Sequence, residues 1–255
     1  IFTLELGISG AAIASSLAEM GSLIVLCIYT GVKIDKEKYG LKPVYDGRLL
    51  IKVLNLSVWS MLHAFISVAP WFLFFVAIEH LGKTELAISN ITRSVSAIFF
   101  VIANSFAVTT GSLVSNAIGA GARKELFPIC HKVLKLGYAV GFPLVVVALL
   151  CNRWIVSFYT DNELLVELAF APFVVMLLNY TFALPGYVYL NAVGGTGKTK
   201  ITFLFQVTTT CVYLVYLYWL SFCIEASLSL YLTAEYLFVI LLALQSIIYL
   251  KSKHY

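Results

Sequence analysis

Apolar residues run in stretches of about 20 or more, the length a helix needs to cross a ~30 Å hydrocarbon core. Such stretches fall near Ala11–Thr30, Val53–Ile78, Leu86–Val114, Leu136–Val156, Leu168–Val193, Ile201–Ile224 and Leu230–Leu250. They predict seven membrane spans and an all-α helical bundle. Most are separated by short turns containing Gly, Lys or Asp. The exception, Gly31–Lys52, is long, polar and basic and reads as a linker between domains. Within the third stretch, a 3.6-residue period places Ser89, Arg93, Ser96, Asn104, Gly111 and Ser115 on one stripe, with Phe100 and Ala107 between them. Ile91, Ile98, Ile102 and Leu113 fall on other faces. A polar, small-residue stripe on an otherwise apolar helix faces packed helices or a wet cavity.

Composition agrees with a membrane protein. Of 255 residues 61% are hydrophobic and 12% charged, with a mean hydropathy of +0.94; soluble domains carry about 25% charged residues. The net charge of +4 would suggest nucleic acid only if it formed a face. All but Lys83, Arg93 and Arg153 of the 17 Lys and Arg sit instead in alternate loops or beside them. These groups are Lys33 to Lys52, Arg123 to Lys135, Lys198 with Lys200, and Lys251 with Lys253. The positive-inside rule then predicts a cytoplasmic linker and C-terminus. Nucleic acid is not an expected partner; the lipid bilayer is. Cys27, Cys130, Cys151, Cys211 and Cys223 are scattered and show no metal or disulfide spacing. The sequence starts at Ile1 with apolar residues and no recognisable signal peptide, and reads as lacking an N-terminal part.

Several polar side chains lie deep in the spans. His63 is roughly 15 Å into the second, with Ser67 and Trp71 at four-residue steps on its face, and Arg93 is about 12 Å into the third. Asn179, beside Tyr180 and Thr181, reaches a similar depth in the fifth. Secondary transporters hold substrate near the midplane, so His63, Ser67, Trp71, Arg93, Asn104, Asn179 and Tyr180 are predicted to line a cleft. A charge at that depth needs a partner; Glu19 and Glu235 are the natural counter-charges for Arg93, and one could equally lie in the missing N-terminal part. Pro70, Pro143, Pro172 and Pro185 lie within spans, where each bends a helix or hinges it. Trp154, Tyr159, Tyr218 and Trp219 fall near span ends, as an aromatic belt would have them.

Two motifs mislead. Ala192–Thr199, AVGGTGKT, fits the spacing of a phosphate-binding loop, but that chemistry needs a strand before the loop and a helix after it. Here a membrane span precedes it. Asn55, Asn90 and Asn179 begin glycosylation sequons that lie in or at the end of spans.

Three stretches resemble the multidrug and toxic compound extrusion (MATE) transporters. LGISGAAIASSLAEM at Leu6–Met20 is similar to the entry into that family's sixth helix. LAISNITRSVSAIFF with TTGSLVSNAIGAGARKE resembles the eighth helix and its loop, and YVYLNAVGGTGKT the tenth and its loop. The resemblance implies that residues 1–31 are the last helix of an incomplete N-terminal lobe, 32–52 an inter-lobe linker and 53–255 a six-helix C-terminal lobe, the first five helices being absent. It implies no enzyme and no bound cofactor. It implies a secondary active antiporter, monomeric at full length, in a bacterial-type cytoplasmic (inner) membrane. Such a protein exports organic cationic or amphiphilic small molecules against H+ or Na+. Where sodium-coupled members carry acids in the seventh and tenth helices, an ungapped alignment gives Ser67 and Ala183, and Lys198 replaces the acid of the tenth-helix loop. The coupling ion is left open. A lipid-linked oligosaccharide flippase of the same wider superfamily is the alternative expectation. A membrane-embedded enzyme is a further one, although His63, His80, His131 and His254 form no catalytic set.

Overall fold

The computed structural model describes residues 7–34, 45–224 and 226–252. Seven stretches of helix among them are long and apolar enough to cross a membrane: Ala12–Lys33, Gly47–Leu81, Lys83–Gly119, Arg123–Leu150, Glu163–Gly195, Thr199–Phe222 and Leu228–Ser252. The described residues are helices and turns, so the all-α expectation holds. The chain divides into two compact units, Ile1–Ile51 and Lys52–Tyr255.

The first unit contains α1 (Gly7–Lys33), whose apolar side chains are exposed. Glu19 is exposed on it. Residues 35–44, the middle of the predicted linker, and His254 lie outside the described residues. The flanks of that linker are helical: α1 continues to Lys33, and α2 (Gly47–Ile78) starts before the predicted Val53. Asp46 sets that start, its Oδ1 accepting from the amides of Arg48 (2.9 Å) and Leu49 (3.2 Å).

The second unit is built on α3 (Lys83–Gly119), α4 (Leu126–Leu150) and the fifth span, together with α9 (Thr199–Phe222) and α10 (Leu228–Ser252). The fourth span is shifted from its predicted limits of Leu136 and Val156. Lys132 and Lys135 lie within α4, exposed, and long basic side chains reach water from a helix end, so they do not mark the loop they suggest. At the other end Asn152 Nδ2 donates to the Leu149 carbonyl (2.6 Å) and closes α4 before the short α5 (Asn152–Ser157).

The fifth span is three helical pieces rather than one: α6 (Glu163–Leu168), α7 (Phe170–Leu178) and α8 (Tyr180–Gly195), broken at Ala169 and Asn179. Proline cannot donate to the carbonyl four residues earlier, and Pro172 thus frees Leu168 at the first break. Pro185 frees Thr181, and the Tyr138 hydroxyl of α4 donates to that carbonyl at 2.7 Å. The freed carbonyl is satisfied by a neighbour, as the membrane core demands.

Small residues let these helices approach closely. A methyl group on Gly195 would come within 2.5 Å of the Gly111 carbonyl, and one on Gly186 within 2.7 Å of the Val239 carbonyl. These contacts join α8 to α3 and to α10. α4 meets α8 where a methyl on Gly141 would fall 2.2 Å from the Tyr180 ring.

Candidate functional site: a buried ion pair and a polar cavity

Arg93 on α3 and Glu235 on α10 are 142 residues apart and form an ion pair, Nη2 to Oε1 at 2.5 Å. Their side chains are 3% and 16% exposed. The Tyr213 hydroxyl of α9 lies 3.2 Å from the same carboxylate oxygen and 3.4 Å from the Pro70 carbonyl of α2, and can donate to either. Three aromatic rings of α2 surround the guanidinium: its central carbon is 4.0 Å from the centroid of Phe74, 5.4 Å from Phe75 and 5.8 Å from Trp71. The cation thus meets a carboxylate on one side and π-faces on the other, and both are favourable when water is excluded. Arg93 Nε is buried without a hydrogen-bond partner. Four helices meet at this one charge pair.

A polar cavity of about 330 Å³ opens further along α2. Ser60 and His63 of α2 line it with Gly111 and Ser115 of α3, Asn191 and Gly195 of α8, and Thr202 of α9. The Ser115 hydroxyl donates to the Gly195 carbonyl at 2.8 Å, and the Asn191 amide to the Tyr187 carbonyl at 3.0 Å. His63 Nε2 is buried and has no partner in hydrogen-bonding geometry, although Gln206 of α9 stands beside the ring. Histidine is the one lining side chain that readily changes charge near neutral pH. The other polar groups are hydroxyls, an amide and helix carbonyls, suited to small polar species or a partly hydrated cation.

The predicted site residues divide among several places. Arg93 and Trp71 share the ion-pair centre. Glu235 is the counter-charge; Glu19 belongs to the first unit. His63 lines the cavity, eight residues and so roughly 12 Å along α2 from Trp71. Ser67 is exposed and its hydroxyl bonds the Ala64 carbonyl of its own helix at 2.7 Å. Asn104 is also exposed. The buried face of α3 runs through Ser89, Thr92, Arg93, Phe99, Ala103, Ala107, Thr110 and Val114. The predicted stripe follows it at Ser89, Arg93 and Ala107, but Phe100 and Asn104 each lie one residue, about 100°, off it, and Ile91 is buried. Asn179 is buried at the α7–α8 break with Oδ1 unpartnered. Tyr180 is a core residue whose hydroxyl donates to the Gly137 carbonyl at 2.8 Å, holding α8 on α4.

The stripe that escaped prediction lies on α9. Thr202, Gln206, Thr209 and Tyr213 are all buried and recur at helical spacing, running from the cavity to the ion pair. Their spacing of four, three and four residues is the signal that could have found them. Ala192–Thr199 joins helix to helix, with Gly197 at a positive φ of 79° and α9 starting at Thr199. The strand a phosphate loop needs is replaced by α8.

The fold and its charged centre define a polytopic helical membrane protein. The MatE family model matches residues 60–220, more than half of the chain, and the chain belongs to this family, whose members are transporters and not enzymes. No curated protein matches the sequence. Among solved structures, a MATE in complex with MaL6 is similar with a TM-score of 0.82 at 17% identity, over 99% of this chain and 58% of that one. A MATE in a bent conformation is similar with a TM-score of 0.69 at 19% identity, over 80% of this chain and 45% of that one. The chain therefore spans about half the length of the MATE structures it matches.

Proposed function

We propose that this chain is the ion- and substrate-handling helical unit of a secondary active efflux antiporter, one that exports organic cationic or amphiphilic molecules against a proton or sodium gradient. The observation that carries the reading is the Arg93–Glu235 pair, joined through the buried face of α9 to a polar cavity with a titratable histidine. Intramembrane charges of this kind are costly and mark ion or substrate pathways. His63 is the group of this unit that would exchange a proton, with Gln206 as its neighbour. The charge distribution supports a cytoplasmic C-terminus and an inner-membrane location.

Reconstituting the full-length protein in proteoliposomes tests this. An imposed pH gradient and an imposed sodium gradient are applied separately, and efflux of a fluorescent organic cation is followed. Efflux in one arm, with its pH dependence altered in His63→Ala, supports the proposal. Failure in both arms, with flipping of a lipid-linked oligosaccharide instead, would replace antiport by lipid transport.

A further inference from the structure

Between α4 and α6 the chain forms a pocket of about 520 Å³ that the transport reading does not use. The apolar span ends at Leu150, and α5 follows at once. Val156 anchors α5 in the core while Trp154, Phe158 and Tyr159 are exposed. Tryptophan and tyrosine beside the end of a span mark the headgroup layer of a bilayer. The wall of the pocket carries Arg153, Ser157, Thr160, Asp161 and Glu163. Among the described residues, neither Arg153 nor the two carboxylates makes an ion pair or a side-chain hydrogen bond. Opposite charges thus line one cavity without closing on each other.

The rim is held by its own hydrogen bonds. Ser157 donates to the Trp154 carbonyl at 2.8 Å, so its proton is engaged. Thr160 Oγ1 accepts from the Asn162 amide at 3.2 Å, which leaves its own O–H free to donate. Asn162 in turn caps α6, accepting from Leu164 N at 3.0 Å. Arg153 and Thr160 therefore offer donors to an anion, and Asp161 and Glu163 offer acceptors to a cation. A singly anionic headgroup would meet two carboxylates, and a cation alone would meet Arg153. A ligand carrying both charges satisfies both sets of groups, and Trp154, exposed and packed edge-on against Phe158 at 4.6 Å, gives its chains an apolar border.

We propose that this pocket binds the headgroup of a zwitterionic phospholipid, phosphate toward Arg153 and Thr160 and ammonium toward Asp161 and Glu163. The purified full-length protein, stripped of lipid, is offered phosphatidylethanolamine, phosphatidylcholine or phosphatidylglycerol of matched chains, and native mass spectrometry reads what is retained. The zwitterionic lipids are expected to be held about fivefold better than phosphatidylglycerol, since an exposed charge contact is worth about 1 kcal/mol. The double change Asp161→Asn/Glu163→Gln should remove that preference, Arg153→Ala should lower retention of all three lipids, and Arg153→Lys should restore it. These side chains are exposed, so the variants are expected to fold. Equal retention of phosphatidylglycerol would overturn the proposal, as would an unchanged preference in Asp161→Asn/Glu163→Gln or unchanged retention in Arg153→Ala. Soluble glycerophosphoethanolamine competing as well as the lipid would make it a site for a soluble zwitterionic phosphodiester and overturn the lipid assignment.

Discussion

Removing both partners of the Arg93–Glu235 pair should cost less than the sum of removing each, and the two single changes should differ. Glu235→Gln leaves a guanidinium that cannot lose its proton in a site where the Arg93 side chain is only 3% exposed. An unpaired buried charge of this sort costs about 3–5 kcal/mol. Phe74, at 4.0 Å, still faces the cation, and a desolvated cation–π contact returns about 1–2 kcal/mol, so a loss of about 3 kcal/mol is expected. Arg93→Met leaves a carboxylate that can take up a proton and keep its hydrogen bond with Tyr213, for a loss of about 1–2 kcal/mol. Replacing both by apolar residues removes both desolvation penalties, so the double variant should lose less than the sum by at least about 1 kcal/mol. Equilibrium unfolding in mixed micelles, run as a double-mutant cycle on the purified protein, measures these losses. Additivity within about 0.5 kcal/mol, or Arg93→Met costing more than Glu235→Gln, would refute the reasoning.

Gly141→Ala should destabilise by about 1–3 kcal/mol, because its methyl would land 2.2 Å from the buried Tyr180 ring. Gly119→Ala meets nothing within 4 Å and should gain about 0.5 kcal/mol; both are read from the same unfolding curves. Lys198→Ala should leave nucleotide binding at background by isothermal calorimetry, since α8 stands where a phosphate loop needs a strand; ATP binding lost in the variant would contradict this. Asp161→Cys and Lys198→Cys, in a background without other reactive cysteines, report sidedness. External labelling of Asp161→Cys but not of Lys198→Cys is expected from the charge pattern, and the reverse result would invert the topology.

The number of spans was legible because a helix must hide its backbone from lipid for about 20 residues, and no other signal in the sequence is as long. Ends and breaks were less so. Lys132 and Lys135 imitate a loop while belonging to α4, and the breaks at Ala169 and Asn179 depend on local backbone satisfaction rather than hydropathy. Faces were hardest, because lipid and protein interior are equally apolar. Tyr180, predicted to face a cleft, is locked on α4, and the aromatic rings around Arg93 carry no mark that separates them from lipid-facing Phe.

Hydroxyls mislead for a related reason. On α3 the exposed Ser94, Ser105 and Thr109 each donate to the carbonyl four residues back on their own helix, at 2.8 Å. A serine or threonine that closes on its own backbone can face lipid at little cost, so a stripe containing several of them says little about which way the helix points. Ser67, bonded to the Ala64 carbonyl, is silent in the same way. A guanidinium has five donors and a full charge, and its own helix cannot satisfy them. Arg93 therefore required a partner elsewhere in the protein, which is why Glu235 could be named as a candidate across 142 residues, whereas Asn104, exposed on α3, carries no such demand.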